Sequence, residues 1–427
     1  MTSDRLASAL GRDALARMWS RRSLLGAGLG GALAVGIVTS HVDAATPAPR
    51  RGSGRRIPPR DPLLTLVNRT SQGFTTELCA EAQARGYSGY LEWQLDPASI
   101  SDSALDTRLL DYPSIAMTAR QIQDVYVLTG QFHTPVTELK TAHTLRSLLS
   151  KRQLLERMVE FWTDHFNINL DFGECQALKP GDDRDVIRVH ALGKFPDLLA
   201  ASAHSAAMLS YLDNALNTSA GVNENYAREL LELHTLSPGN YTETDVRELA
   251  RVLTGWTYLP TTDPNYAAFH FDAAAHDNGV HTVLGHTFGP NAGQSEGEAM
   301  LAILAAHPQT AQFIALKLCR WFLGDDPPAV LVTRVANEYL RTGGDIAVML
   351  RMILKQENVQ LAGANEIFAP SEAEVAQAKK IIAAFALPEN AGKGAISLDG
   401  RMVELLHAEM AKRTVALSEA IAAPTAS

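Results

Sequence analysis

Asn223–Trp256 reads NENYARELLELHTLSPGNYTETDVRELARVLTGW, and the spacing of its apolar residues decides the fold class. Ala227, Leu230 and Leu231 recur at helical intervals, and Val246, Leu249, Ala250 and Leu253 do so again further on, which predicts two amphipathic helices. Ser237, Pro238 and Gly239 break the first helix. Thr242 with Asp245 three residues later is a capping-box start for the second. Charge is dense on both helices, so it must be paired or put to use. Glu224, Arg228 and Glu232 fall at i, i+4 and i+8, which predicts a carboxylate–guanidinium–carboxylate ladder with Asn225 and Glu229 on the adjoining row. His234 is expected to point away from that ladder, towards the apolar row.

The same period runs through most of the chain. Leu145, Leu148 and Leu149, then Leu154, Leu155, Met158, Val159 and Trp162, predict a long helical segment ending in FWTDHF. Asp185–Leu192, Phe195–Leu212 and Pro308–Phe322 read as further helices. The exception is Phe269–Phe288. There Phe269 and Phe271, then Thr282, Val283 and Leu284, predict a short hairpin turning at Asn278-Gly279. With no alternation of strand and helix, the expected class is mainly α. It comprises a large helical domain over residues 61–357, a small β-hairpin excursion, and a helical C-terminal appendix over 358–427.

The 427 residues are 46% hydrophobic and 20% charged, a globular composition. A net charge of −9 excludes nucleic acid and anionic membrane as the main partner. The local cluster Arg50, Arg51, Arg55, Arg56 and Arg60 reads as a solvated linker over 45–60. Before it, Ser20-Arg21-Arg22-Ser23-Leu24-Leu25 opens a glycine-rich apolar run, and Val42-Asp43-Ala44 offers small residues for cleavage. Residues 1–44 therefore resemble a twin-arginine export signal, which implies the twin-arginine machinery as a partner and a periplasmic or extracellular location. No other window is apolar enough for a stable membrane span. Cys79, Cys175 and Cys319 lack metal-type spacing and read as small hydrophobes.

Candidate chemistry lies at element ends. Asp164 and His165 close a long helix, while His276 and Asp277 sit at the expected turn, with His281 and His286 after it. Converging from three segments, His165, Glu229, His276 and Asp277 would bind one divalent metal ion or serve as acid and base, with Glu229 and Asp277 the candidate catalytic residues. The spacing is neither Glu-x-x-His nor His-Glu-x-x-His. Against this stands a structural reading, in which Glu224, Arg228 and Glu232 only cross-link helices and His133, His143, His190, His204, His270 and His307 only cap or pack. Trp93, Trp162, Trp256 and Trp321 are expected to fill the core. No nucleophile elbow, phosphate loop or dinucleotide fingerprint is present.

Several blocks carry a family resemblance. In order they are LVNRTSQGFT at Leu66–Thr75, LLERMVEFWTDHF at Leu154–Phe166, HALGKFPDLLAASA at His190–Ala203, MLSYLDN at Met208–Asn214, the stretch quoted first, HDNGVHTVLG at His276–Gly285, and HPQTAQFIALKLCRWFLGDDPP at His307–Pro328. Together they make residues 62–355 similar to the bacterial domain-of-unknown-function 1800 family, which implies a secreted helical protein without an established activity. Ser205, Ser237-Pro238 and His281 depart from the residues common there. The tail differs. FAPSEAEVAQAKKIIAAF at Phe368–Phe385 and GAISLDGRMVELL at Gly394–Leu406 resemble the C-terminal end of the citrate lyase β-subunit-like CoA-ester lyases, whose lid aspartate is matched by Asp399. Nothing upstream supplies that family's barrel, so residues 358–427 are expected as a helical tail without its parent site. Its helix faces would be Val375, Ala378, Ile381 and Ile382, and then Met402, Leu405, Leu406 and Met410. Three functional readings follow: an exported, metal-assisted hydrolytic enzyme, a non-catalytic envelope or extracellular binding protein, and a remnant of a CoA-ester lyase.

Overall fold

The computed structural model describes residues 61–73, 75–360, 372–390, 393–398, 401–404, 407–408, 410–412 and 414–415. The expected export signal and Asp399 lie outside them. Helices dominate. The chain opens with α1 (Pro62–Thr70), capped by Asp61, and α2 (Thr76–Leu95), which kinks at Gly86 with φ 68°. After α3 (Ser103–Leu109) come α4 (His133–Leu149) and α5 (Gln153–His165). α5 buries Leu154, Met158, Val159 and Trp162, the positions that its sequence period marks. α6 (Cys175–Gly181) runs on as a π-helical turn over Asp182–Ile187. α7 (Phe195–Ala203) and α8 (Ala206–Tyr211) replace the single helix expected over Phe195–Leu212, because the chain breaks at His204 and Ser205.

α9 (Asn225–Glu229) also passes into a π turn, Leu230–Thr235. α10 (Glu243–Val252) starts on the expected capping box. The Thr242 backbone N–H donates to Asp245 Oδ2 at 2.8 Å, and the Asp245 N–H donates to Thr242 Oγ1 at 3.2 Å. Next come β1 (Trp256–Tyr258), β2 (Phe269–Phe271), β3 (His281–Val283) and β4 (His286–Phe288). The chain then returns to helix as α11 (Gln294–Ala306), α12 (Pro308–Leu323), α13 (Ala329–Thr342) and α14 (Ile346–Ile353).

The β excursion differs from the expected hairpin. Phe269 and Phe271 pair with Tyr258 and Trp256, and His281–Val283 pairs with His286–Phe288. There are thus two hairpins here, and the tight turn of the second is Leu284-Gly285, not Asn278-Gly279. Both turn residues have positive φ, 50° and 78°, the geometry whose twist matches a two-residue hairpin. The Leu284 N–H is tied to Asp245 Oδ1 at 2.7 Å, so the helix cap and the turn fix one another.

One apolar core extends from Leu66 to Val359, with Trp162, Trp256, Phe195 and Phe322 fully buried. Trp93 and Trp321 lie at its edge under Arg85 and Arg157. Cys175 and Cys319 are buried, and Cys79 is half-buried; all three are free thiols. Among the described residues no single helix is long and apolar enough to cross a membrane. Beyond Gln360, α15 (Glu372–Phe385) is the expected helix and turns Ala378 inward. The second helical face is not observed as expected. Arg401–Glu404 (β6) pairs antiparallel with Ala395–Leu398 (β5), which leaves Met402 exposed. Alternation places Ile396 and Val403 on the buried side.

Candidate active site around His276 and Glu296

Gly255 follows α10 with φ 77°, and a Cβ there would stand 2.4 Å from the Asp272 carbonyl oxygen. Only glycine permits the loop to close this tightly, and the closure brings His276 under Thr254. His276 Nδ1 lies 2.9 Å from the Thr254 carbonyl oxygen. A carbonyl only accepts, so Nδ1 carries the hydrogen. Thr254 Oγ1 in turn accepts from the Asp277 backbone N–H at 2.8 Å and donates to the Arg251 carbonyl at 2.6 Å.

His276 Nε2 faces Glu296 Oε1 at 3.0 Å, and His281 Nδ1 lies 3.0 Å from Oε2 of the same carboxyl. His281 Nε2 is 3.5 Å from Asp277 Oδ1. Neither Nε2 is aligned for a hydrogen bond, although both are buried. Asp277 Oδ2 accepts from Arg251 Nε at 2.8 Å, and Arg251 Nη1 donates to Glu248 Oε1 at 3.0 Å. The bond from Arg251 holds the Asp277 carboxyl below the usual carboxylate range against the opposing effect of burial. The group therefore forms a polar chain from core to surface. The side chains of His276, His281 and Glu296 are almost fully buried, and Asp277 is 20% exposed. Glu296 occupies the first turn of α11, where the helix dipole favours an acidic residue.

Gly279 covers this chain. A Cβ at that position would lie 3.0 Å from Asp277 Oδ1, 3.2 Å from Arg251 Nη2 and 3.6 Å from His281 Nε2. A side chain at this position would crowd an acid, a guanidinium and an imidazole together, so glycine lets the backbone close over them.

His165 belongs to a different group. Its Nε2 donates to the His234 carbonyl at 3.1 Å, and its Nδ1 meets Lys317 Nζ at 2.7 Å. Phe161, Trp162, Phe166, Phe195 and Phe313 surround the ring. Burial, with Lys317 and His234 adding to it, pushes the His165 pKa well down. Burial also lowers Lys317 to about 8. Both ring nitrogens of His165 are thus engaged within this group, and neither meets the carboxyl of Glu229 or Asp277. Glu229 stays half-buried on α9. Among the described residues no three or more His, Cys, Asp or Glu side chains are arranged to hold a metal ion, so the expected convergence of His165, Glu229, His276 and Asp277 on a metal is not formed.

The ladder Glu224–Arg228–Glu232 is also altered. Arg228 Nη2 reaches Glu224 at 3.3 Å, but its main partner is Glu243 across on α10, at 2.8 and 2.7 Å. Glu232 accepts instead from the Tyr241 hydroxyl at 2.8 Å. The π turn beginning at Leu230 widens the helical step and carries Glu232 out of line with Arg228. Arg228 and Glu224 are 35% and 40% exposed, so this pair lies at the surface. His234 is buried against Phe166 and Tyr226, on the apolar side as expected.

Two features are absent from the sequence reading. Glu296 is the carboxyl that brackets both histidines; its only sequence signal is an acidic residue in the first turn of a helix. The second feature is a buried ionic cluster. Arg188 grips Glu156 through two bonds, 3.0 and 2.6 Å. His143 Nε2 lies 2.8 Å from Asp183 Oδ1, and Lys179 pairs with Asp182. Burial raises the Asp183 pKa, but His143 and the charges of Arg188 and Lys179 outweigh it and bring the group down to about 2.

Comparison with known proteins gives two kinds of likeness. Over 64 residues the chain is 50% identical to a (3S)-malyl-CoA thioesterase of Cereibacter sphaeroides strain ATCC 17025, covering 15% of this chain and 22% of that enzyme. Over 68 residues it is 48% identical to the enzyme of the same name from strain ATCC 17029, covering 16% and 24%. The chain thus spans less than a quarter of the length of the curated relatives it matches. No solved structure matches it. A family profile described as "Protein of unknown function (DUF1800)" matches residues 65–416, and with most of its length inside that match the chain belongs to the DUF1800 family of proteins of unknown function.

Proposed function

We propose that the protein is exported and performs acid–base, hydrolytic chemistry at the surface end of the His276–Glu296–His281–Asp277 chain. The observation that carries this reading is the Glu296 carboxyl, buried between two imidazoles and linked through His281 to a partly exposed, arginine-clamped Asp277. A buried carboxyl of this kind is costly as mere cross-linking, and paired imidazole and carboxyl groups are the usual parts of acid–base sites. In this reading His281 moves the proton, Glu296 holds its ring through Nδ1, and Arg251 fixes Asp277 beside Nε2. The substrate's reacting atom would approach at Asp277, the partly exposed end of the chain. Export rests on the Arg21-Arg22 signal, and a mature N-terminus near Ala45 in secreted material checks it; an intact N-terminus counts against it.

The activity is tested on purified mature protein with a panel of chromogenic esters, amides, glycosides and phosphate esters. Asp277→Asn and His281→Gln should each lower turnover by about 100-fold while the far-ultraviolet spectrum is unchanged. Turnover that survives both substitutions sinks the reading. Folded protein inert across the panel favours a non-catalytic binding protein instead. Stoichiometric divalent metal that is lost on His276→Ala would replace it with a metal-assisted mechanism. Thioesterase activity is not proposed, because the likeness spans under a quarter of that enzyme.

A further inference from the structure

Apart from the Glu296 group, α12 carries a lysine that the proposed acid–base chemistry does not use. Lys317 Nζ lies 2.7 Å from His165 Nδ1, and it sits 5.8 Å from the centroid of Phe161 and 5.4 Å from that of Phe313. We propose that Lys317 is an amine nucleophile that takes an apolar aldehyde as an imine.

The tautomer of His165 follows from its other contact. The His234 carbonyl accepts from Nε2 at 3.1 Å, so the ring hydrogen is on Nε2 and Nδ1 offers a lone pair. Lys317 therefore donates to His165, which fixes one N–H and directs the amine. The rings beside the amine are aromatic, Phe161 from α5 and Phe313 from α12. Lys317 as a residue is half-buried, and its contact with His165 is only partly buried. A desolvated lysine beside apolar rings loses the hydration that favours its charged form, which is how imine-forming lysines are activated. The lowering of Lys317 to about 8 agrees, with burial as its cause and Asp164 opposing it.

The step balances without a further reactant. Lys317 gives its extra proton to solvent, and the free amine adds to the carbonyl carbon, forming the C–N bond as the carbonyl pair moves to oxygen. The proton on nitrogen passes through His165 Nδ1 to that oxygen. Loss of the hydroxyl as water, with the second nitrogen proton, leaves the C=N bond. The aromatic rings beside the amine favour an apolar aldehyde over an anionic one.

The test uses the full mature chain with hexanal and sodium cyanoborohydride at neutral pH, followed by peptide mass mapping. Lys317 should gain a hexyl group about tenfold faster than the exposed Lys140 and Lys355. His165→Gln should bring Lys317 towards the rate of those two with the circular dichroism spectrum unchanged, and Lys317→Arg should remove the fast site. Labelling of wild-type Lys317 no faster than Lys140 and Lys355 overturns the proposal, and that readout needs no variant. Faster labelling by glyoxylate than by hexanal would overturn the apolar class of ligand.

Discussion

Arg228 lies 2.8 and 2.7 Å from the two carboxyl oxygens of Glu243 and is 35% exposed. Its i, i+4 neighbour Glu224 is legible from spacing alone, whereas Glu243 is fifteen residues away and enters only because α10 packs on α9. An exposed ion pair gains little, since water screens it and two long side chains must be held still. Arg228→Ala should therefore change stability by about 0–1 kcal/mol. A cost of several kcal/mol in urea unfolding would show that the pair is part of the core. Glu296 is the opposite case. Its carboxyl is buried between residues 276 and 281, and its place in a polar centre could be found only after the loop had closed. Gly297 beside it shows how tight that closure is, since a Cβ there would fall 2.3 Å from the Trp256 ring.

At the scale of elements, the ionic cluster on α4, α5, α6 and the Asp182–Ile187 π turn yields a prediction about acid. Asp183 is held at about 2, below the ordinary value of 3.8. A carboxyl lowered on folding contributes stability that is fully present above its unfolded pKa and is lost as pH falls through the folded one. The contribution should be about 2–3 kcal/mol at neutral pH and should disappear between roughly pH 4 and 2. Asp183→Asn should lower the thermal midpoint at neutral pH and flatten the acid limb of stability against pH. An acid limb identical to the wild type would show that Asp183 is not the group responsible. The elements themselves were legible wherever a 3.6-residue period met a cap, as at Thr242. They were misread where the helix changes pitch, at Leu230–Thr235, and where strand partners lie apart in sequence. Asn278-Gly279 has the residues of a hairpin turn, but Phe269–Phe271 pairs instead with Trp256–Tyr258, the strand that follows α10.

At the scale of the molecule, the main core closes at Val359. Ala378, Ile396, Val403, Ala408 and Ala411 are buried, but they are not part of that core. Deleting everything after Gln360 should therefore leave the helical domain folded, with its thermal midpoint and helical circular dichroism retained. Global unfolding of the truncated chain would show that the tail is structural. The sequence by itself determined the helical class, the α5 and α10 faces, the Thr242 cap, the family and the likeness to CoA-ester enzymes, because each of these depends on residues close together along the chain. Only the tertiary structure decided which polar side chains meet across separate elements. It joined His276 to Glu296 and His165 to Lys317, and it drew Glu232 away from Arg228. Such pairings depend on helix pitch, loop closure and the direction in which packed helices present their side chains, none of which is encoded in the spacing of any one segment.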